Sequence, residues 1–88
     1  MVLSKHELKE RLEEEVNNKS LLSFLNRDYS LKVSHRDTWI IIEPEPQFDD
    51  PKRYFVEGGD GRGTDYQEYI DETDELVNHV KQTFSEHF

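Results

Sequence analysis

Residues 55–69, FVEGGDGRGTDYQEY, decide the fold, because four glycines within six residues separate two patterned segments. The apolar run RYFVE (53–57) before the glycines is typical of a strand, and the pattern after them is helical, so a turn is predicted between a strand and a helix. Thr64 is a suitable N-cap for this helix, and Gln67 completes a capping box. Apolar side chains then recur at helical spacing, at Tyr66, Tyr69, Ile70, Thr73, Val77, Val80 and Phe84.

The glycine loop does not match the motifs by which similar loops bind ligands. A Walker loop needs a lysine directly after its last glycine, and none stands there. The dinucleotide spacing G-x-G-x-x-G fails because Thr64 occupies the third glycine position, and an EF-hand fails because Arg62 and Thr64 replace acidic ligands. We therefore expect no phosphate, calcium or other cofactor here, and the glycines are expected to serve as turn residues with positive φ.

The beginning of the chain predicts a helix and a short second one. Ser4 and Glu7 form the Ser-x-x-Glu pattern of a capping box, and an apolar residue follows at every fourth position, namely Leu8, Leu12 and Val16. The NNKS segment (17–20) interrupts this pattern. Ser20 can cap a short extra helix near residues 20–26.

Three runs predict strands: YSLKVS (29–34), WIII (39–42) and RYFVE (53–57). The chain is thus predicted to be one α+β domain over residues 1–88, in the order helix–strand–strand–strand–helix with a three-stranded antiparallel sheet. YSLKVS alternates and has one polar face, whereas WIII is apolar on both faces. The second sheet face therefore needs a cover, which could be the proline loop EPEPQFDDP (43–51) through Phe48, the short second helix, a partner protein or a second copy.

Composition limits the kinds of partner. Twenty acids against eleven bases give a formal net charge of −9, and there is no cysteine. Direct binding to DNA or RNA requires clustered lysine and arginine, so we expect none. Disulfides and thiolate metal sites are excluded. No apolar run approaches a membrane span, so we expect no membrane partner and a cytoplasmic location.

Two features of the sequence resemble those of nucleic-acid enzymes or nucleic-acid-binding domains. Asp37 before WIII, together with the pattern Asp50-Pro51-Lys52, resembles the acid and acid-x-Lys elements of the PD-(D/E)xK nucleases, although the pair lies in a proline loop rather than on a strand. The predicted element order is similar to that of double-stranded-RNA-binding domains, but those present lysines where this chain has acids. A divalent metal on Asp71, Glu75 and His79 is a further alternative.

Acidic side chains mark one face of the predicted last helix. From Glu57 to Glu75 there are eight acids and one base. Helical geometry groups the candidate partner-binding residues on the side away from the core, namely Glu68, Asp71, Glu72, Glu75 and His79.

We expect from this face a non-enzymatic protein-interaction module, an inhibitor or regulator that docks on a basic surface of a partner protein, for example of a nucleic-acid-binding one. In size and acidity the chain is similar to phage-encoded inhibitors and immunity proteins. The alternatives are a metal-dependent nuclease-like or metal-binding domain, a small housekeeping protein, and an acidic surface that only confers solubility.

Overall fold

The computed structural model describes residues 2–24, 30–44 and 52–88, and along them two α-helices flank five β-strands. Short 3₁₀ turns at Lys19–Leu21 and Ser85–His87 supplement them. The predicted α+β class is confirmed, whereas the three-stranded sheet is wrong. The bounds are α1 Lys5–Glu13, β1 Leu22–Phe24, β2 Leu31–His35, β3 Thr38–Pro44, β4 Tyr54–Asp60, β5 Tyr66–Ile70 and α2 Thr73–Thr83.

The five strands form an antiparallel meander in which every neighbour in the sheet is also a neighbour in the chain, in the order β1-β2-β3-β4-β5. Alternate strand residues share one core with both helices, so α1 and α2 cover the same face of the sheet. Side chains that are fully buried in this core include Leu8, Leu12, Leu31, Val33, Ile40, Ile42, Tyr54, Val56, Leu76 and Val80.

The predicted start of α1 is confirmed, because the reciprocal capping box between Ser4 and Glu7 is formed. The preceding residue ties α1 to the sheet: the Leu3 amide donates to the hydroxyl of Tyr54 at 2.7 Å. That hydroxyl also lies 2.8 Å from the Thr73 hydroxyl at the start of α2. Tyr54 of β4 therefore joins the beginnings of both helices.

The short helix expected near residues 20–26 is wrong. Asn18 caps a single 3₁₀ turn, after which Leu22 pairs with Val33 and Phe24 pairs with Leu31 in β1. Pairing with β2 supplies backbone hydrogen-bond partners to this segment, and Leu22 is buried in the core. The predicted contributions of Leu25, Tyr29 and Phe48 lie outside the described residues.

The predicted helix from Thr64 is wrong over its first two turns, which are strand β5. Tyr66 lies opposite Gly58 and Ile70 opposite Tyr54, so the segment closes a hairpin with β4. Ile70 is buried, whereas the side chain of Tyr69 points the other way and is 57% exposed. The helix α2 begins only at Thr73, and its predicted apolar side chains Val77, Val80 and Phe84 are buried.

The glycine segment is confirmed as a turn, but it joins two strands. Gly58 and Gly59 belong to β4, and Gly61 has a φ of 83°, the left-handed conformation that glycine adopts without strain. The structure has five strands between the helices, whereas the resemblance to double-stranded-RNA-binding domains was based on a predicted order with three. None of the helices in residues 2–24, 30–44 and 52–88 is long and apolar enough to cross a membrane.

Candidate partner-binding site

The five predicted partner-binding residues lie along one edge of the molecule, but on a strand, a connector and a helix rather than on one helical face. Glu68 is in β5, the last strand of the sheet. Asp71 and Glu72 form the connector to α2, and Glu75 and His79 lie on α2 itself. We call the four exposed carboxylates of this set, Glu68, Asp71, Glu72 and Glu75, the acidic edge.

An open groove runs between β5 and α2 and brings three of the five residues together. Glu68 approaches it from the strand, and Glu75 and His79 approach it from the helix. Among the described residues that line it, Ile70 alone is buried, so the groove has a small apolar floor beneath carboxylates and amides. The residues that line it are Glu68, Tyr69, Ile70, Glu75, Asn78, His79 and Gln82.

A hydrogen bond between Tyr66 and His79 fixes the helix against the strand beside this groove. The Tyr66 hydroxyl lies 2.7 Å from Nε2 of His79, and the rings meet edge to face at 5.4 Å. The ring of His79 on α2 therefore lies against Tyr66 of β5. Burial raises the pKa of Tyr66, with a smaller contribution from the charge of Glu68.

The place of Tyr66 depends on Gly58, its partner across the β4–β5 ladder. A Cβ atom at Gly58 would lie 2.5 Å from the Tyr66 hydroxyl oxygen and 2.9 Å from the carbonyl oxygen of Trp39. The aromatic ring therefore occupies the space that a side chain on β4 would need. Sequence reasoning missed this pair, because the absence of a side chain at Gly58 becomes informative only once the strand register is known.

The local charge is strongly one-sided. Six acids and no lysine or arginine lie between Arg62 and Lys81. Two cations lie in the seam between the helices: Lys81 Nζ lies 3.1 Å from Glu15, and Arg11 contacts Glu15 and lies 3.5 Å from Asp74. On the sheet side, the Arg53 guanidinium lies 4.2 Å from the ring centre of Tyr69, the neighbour of Glu68 in the chain. The lysine and arginine side chains pull the pKa of Glu15 down, most strongly through the hydrogen bond from Lys81. The acidic edge thus presents a negative surface beside an α1–α2 seam that is internally paired.

The face of the sheet opposite the helices is the second surface of interest. As predicted, alternate residues of β3 and β4 bring half-buried apolar side chains to it, namely Trp39, Ile41 and Phe55. The exposed ring of Tyr69 packs at a tilt against Phe55, with 5.3 Å between the ring centres, and the Arg53 guanidinium lies 4.2 Å from the centre of the Tyr69 ring. The short second helix proposed as a cover is not formed, and residues 45–51 with Phe48 lie outside the described part of the chain.

The nuclease-like residues do not form a site in the part of the chain that the structure describes. Asp37 is exposed in the β2–β3 turn, where its carbonyl accepts a hydrogen bond from the Gly61 amide at 2.7 Å. Lys52 is exposed, and Asp50 and Pro51 lie outside the described residues. Residues 2–24, 30–44 and 52–88 hold no group of three or more histidine, aspartate or glutamate side chains that could bind a metal.

Comparison with known proteins identified no relative of this chain. No family model, no curated protein and no solved structure matches the chain, so its function is inferred from the chemistry of the acidic edge.

Proposed function

We propose that the protein is a non-enzymatic interaction module, an inhibitor or regulator that docks through its acidic edge on a basic surface of a partner protein. The observation that carries this proposal is the grouping of Glu68, Asp71, Glu72 and Glu75 at one exposed edge, within a segment that has no lysine or arginine. Complementary fields of this kind steer association and select partners.

The scaffold beneath the carboxylates supports this function. Glu68 is carried by a strand paired with β4, and Glu75 by a helix joined to that strand through Tyr66 and His79. Carboxylates on such fixed elements lose little freedom on binding, so less of the interaction energy is spent on ordering them. A row of fixed negative charges also offers a basic groove the same electrostatic complement as a phosphate backbone. A nucleic-acid-binding protein is therefore the partner class that fits best.

The test compares three versions of the protein as affinity baits in extract from its native host. The first is the wild type, and the second carries Glu68→Lys, Asp71→Lys, Glu72→Lys and Glu75→Lys. The third, a control, has the same net charge as the second but carries its lysine substitutions elsewhere on the surface, at the exposed acids Glu10, Glu14, Asp37 and Glu86. Lysines at the start of α2 oppose the helix dipole by about 0.3–1 kcal/mol each, so circular dichroism and denaturation must first show that both variants fold.

We expect a basic protein to be retained by the wild type and the control and lost by the acidic-edge variant. With that partner purified, the association rate should fall steeply as salt concentration rises. Binding that is indifferent to both charge reversal and salt would contradict the proposal. The apolar sheet face around Trp39, Ile41 and Phe55 would then be the surface to test, for a partner or for a homodimer.

A further inference from the structure

We infer that the outer edge of β5 pairs with an extended basic segment of the partner, which adds a sixth strand to the sheet. This inference rests on the proposed function and specifies the form of the partner that the acidic edge recognises. Its three supports are the open backbone edge of β5, the acids that bracket it, and the different side chains on its two faces.

The first support is the position of β5 in the sheet. Among the described strands β5 pairs with β4 alone, so its second edge has no strand beside it. In an antiparallel ladder about half of the residues direct both their N–H and C=O groups to each side. Several donors and acceptors of Tyr66–Ile70 therefore point away from β4, toward a side where no described strand lies. The described part of the opposite edge strand, β1, covers three residues. An edge of this kind is a template for a further strand.

The second support is the charge that brackets this edge. Asp65 precedes β5, Glu68 is its central residue, and Asp71 and Glu72 follow it. A second copy paired antiparallel and centred on β5 would place Glu68 opposite Glu68, with the flanking acids facing one another. Like charges directly opposite destabilise a strand pair, whereas opposite charges stabilise it. The acids therefore oppose self-pairing and favour a strand that carries lysine or arginine.

The third support is that the two faces of β5 differ. On the helix side, an added strand would lie beside Glu68 and the groove to Glu75 and His79. On the open side it would lie beside Tyr69, which is 57% exposed and whose ring also contacts Phe55 and the Arg53 guanidinium. Because strand side chains alternate between faces, a matching segment carries basic residues at every second position and apolar residues between them.

The test uses synthetic peptides and the intact protein. The probe is an acetylated, amidated heptapeptide of alternating lysine and valine. Two matched control peptides are used, one N-methylated at every lysine amide and the other at every valine amide. Each keeps the charge and the side chains of the parent but lacks the hydrogen-bond donors along one edge of the peptide. Affinity is measured by titration calorimetry, and hydrogen exchange of the backbone amides reports the place of binding.

We expect the parent peptide to bind and to slow exchange of amides in Tyr66–Ile70. One of the two N-methylated peptides should bind about tenfold more weakly or worse, since it loses at least two hydrogen bonds. Glu68→Lys should weaken the parent peptide, and Glu10→Lys on α1 should not. The proposal is overturned if both methylated peptides bind as well as the parent, if exchange in β5 is unchanged, or if the parent does not bind.

These outcomes separate the inference from the proposed function. If both N-methylated peptides bind as well as the parent but charge reversal abolishes binding, the acidic edge is retained as a docking surface and strand pairing is rejected. If binding requires the unmethylated amides of the peptide but does not change on charge reversal, strand pairing is retained and the acidic edge is rejected as the docking surface.

Discussion

Gly58 shows how one residue sets the geometry of the candidate site. It leaves room on β4 for the ring of Tyr66, whose hydroxyl then reaches Nε2 of His79 on α2. A side chain at Gly58 would displace this ring or press on the Trp39 carbonyl oxygen. The contact between β5 and α2 therefore depends on a position that contributes no side chain of its own.

We predict that Gly58→Ala destabilises the protein by about 1–3 kcal/mol, because the new methyl group overpacks the Tyr66 contact. Two other glycines of the segment are matched controls, since a Cβ atom at either would meet nothing within 4 Å. Gly63→Ala should be neutral or stabilise by up to about 1 kcal/mol, and Gly61→Ala, at a φ of 83°, should cost about 1–2 kcal/mol. Urea denaturation of the three variants checks this order, and equal effects at Gly58 and Gly63 would contradict it.

A second prediction at this scale concerns Glu43 on the open sheet face. Burial raises the pKa of Glu43 above its ordinary value near 4.5, and the charge of Glu57 raises it further. Above pH 4.5 the folded protein therefore holds a proton that the unfolded chain has released, and the free energy of unfolding falls as pH rises toward the folded pKa.

Glu43→Gln should remove this fall, so the variant should gain stability relative to the wild type as pH rises through this window. Denaturation curves for both proteins across the acid range measure the difference, with Glu10→Gln at an exposed α1 position as the control. A constant difference between wild type and Glu43→Gln at all pH values would refute the assignment.

Among the elements, α2 has two sides that should respond differently to mutation. Its inner side buries Val77 and Phe84, which are 2% and 4% exposed, and its outer side carries exposed residues such as Gln82. We predict that Val77→Ala costs about 1–2 kcal/mol and Phe84→Ala about 3–4 kcal/mol, from lost burial and the cavity left behind. Gln82→Ala should stay within about 0.5 kcal/mol. Thermal or chemical denaturation measures all three, and a neutral Phe84→Ala would show that the inner side is misassigned.

The elements also show what sequence patterns could predict. The cap of α1 and the strands β2, β3 and β4 were predicted because each is marked by its own local signal: a capping box, an alternation or a β-branched run. Strand β5 was not predicted, because Tyr66, Tyr69 and Ile70 fit a helical stripe. Its other two residues, Gln67 and Glu68, are good helix formers. Its strand state is set by pairing with β4, a contact that periodicity cannot reveal.

The five candidate residues were grouped in the sequence by a helical geometry that the structure does not have. Glu68, Glu75 and His79 do lie together, but a strand-to-helix connection brings them there rather than the face of one helix. The hydrogen bond from Tyr66 to His79 was missed because it joins two elements. Charge composition thus located the acidic segment, and only the three-dimensional structure showed which side chains share a groove.

For the whole molecule, the net charge of −9 should prevent direct binding to nucleic acid. We predict no sub-micromolar affinity for duplex DNA, single-stranded DNA or RNA at physiological ionic strength, as measured by fluorescence anisotropy. We also predict no magnesium-dependent cleavage of these substrates. Cleavage that disappears in Asp37→Ala would instead support the nuclease-like alternative, with Glu86→Ala as the control.

The meander has a consequence for how the nascent chain acquires its structure. Since each strand pairs with the one before it, β1 to β5 can assemble hairpin by hairpin from contacts of low sequence separation, which favours rapid folding. The contacts that join the first helix region to α2 are instead distant in sequence, as between Glu15 and Lys81. On the ribosome, the apolar face with Ile40, Ile42 and Val56 is therefore completed before α2 has been synthesised, and it must await that helix to be covered.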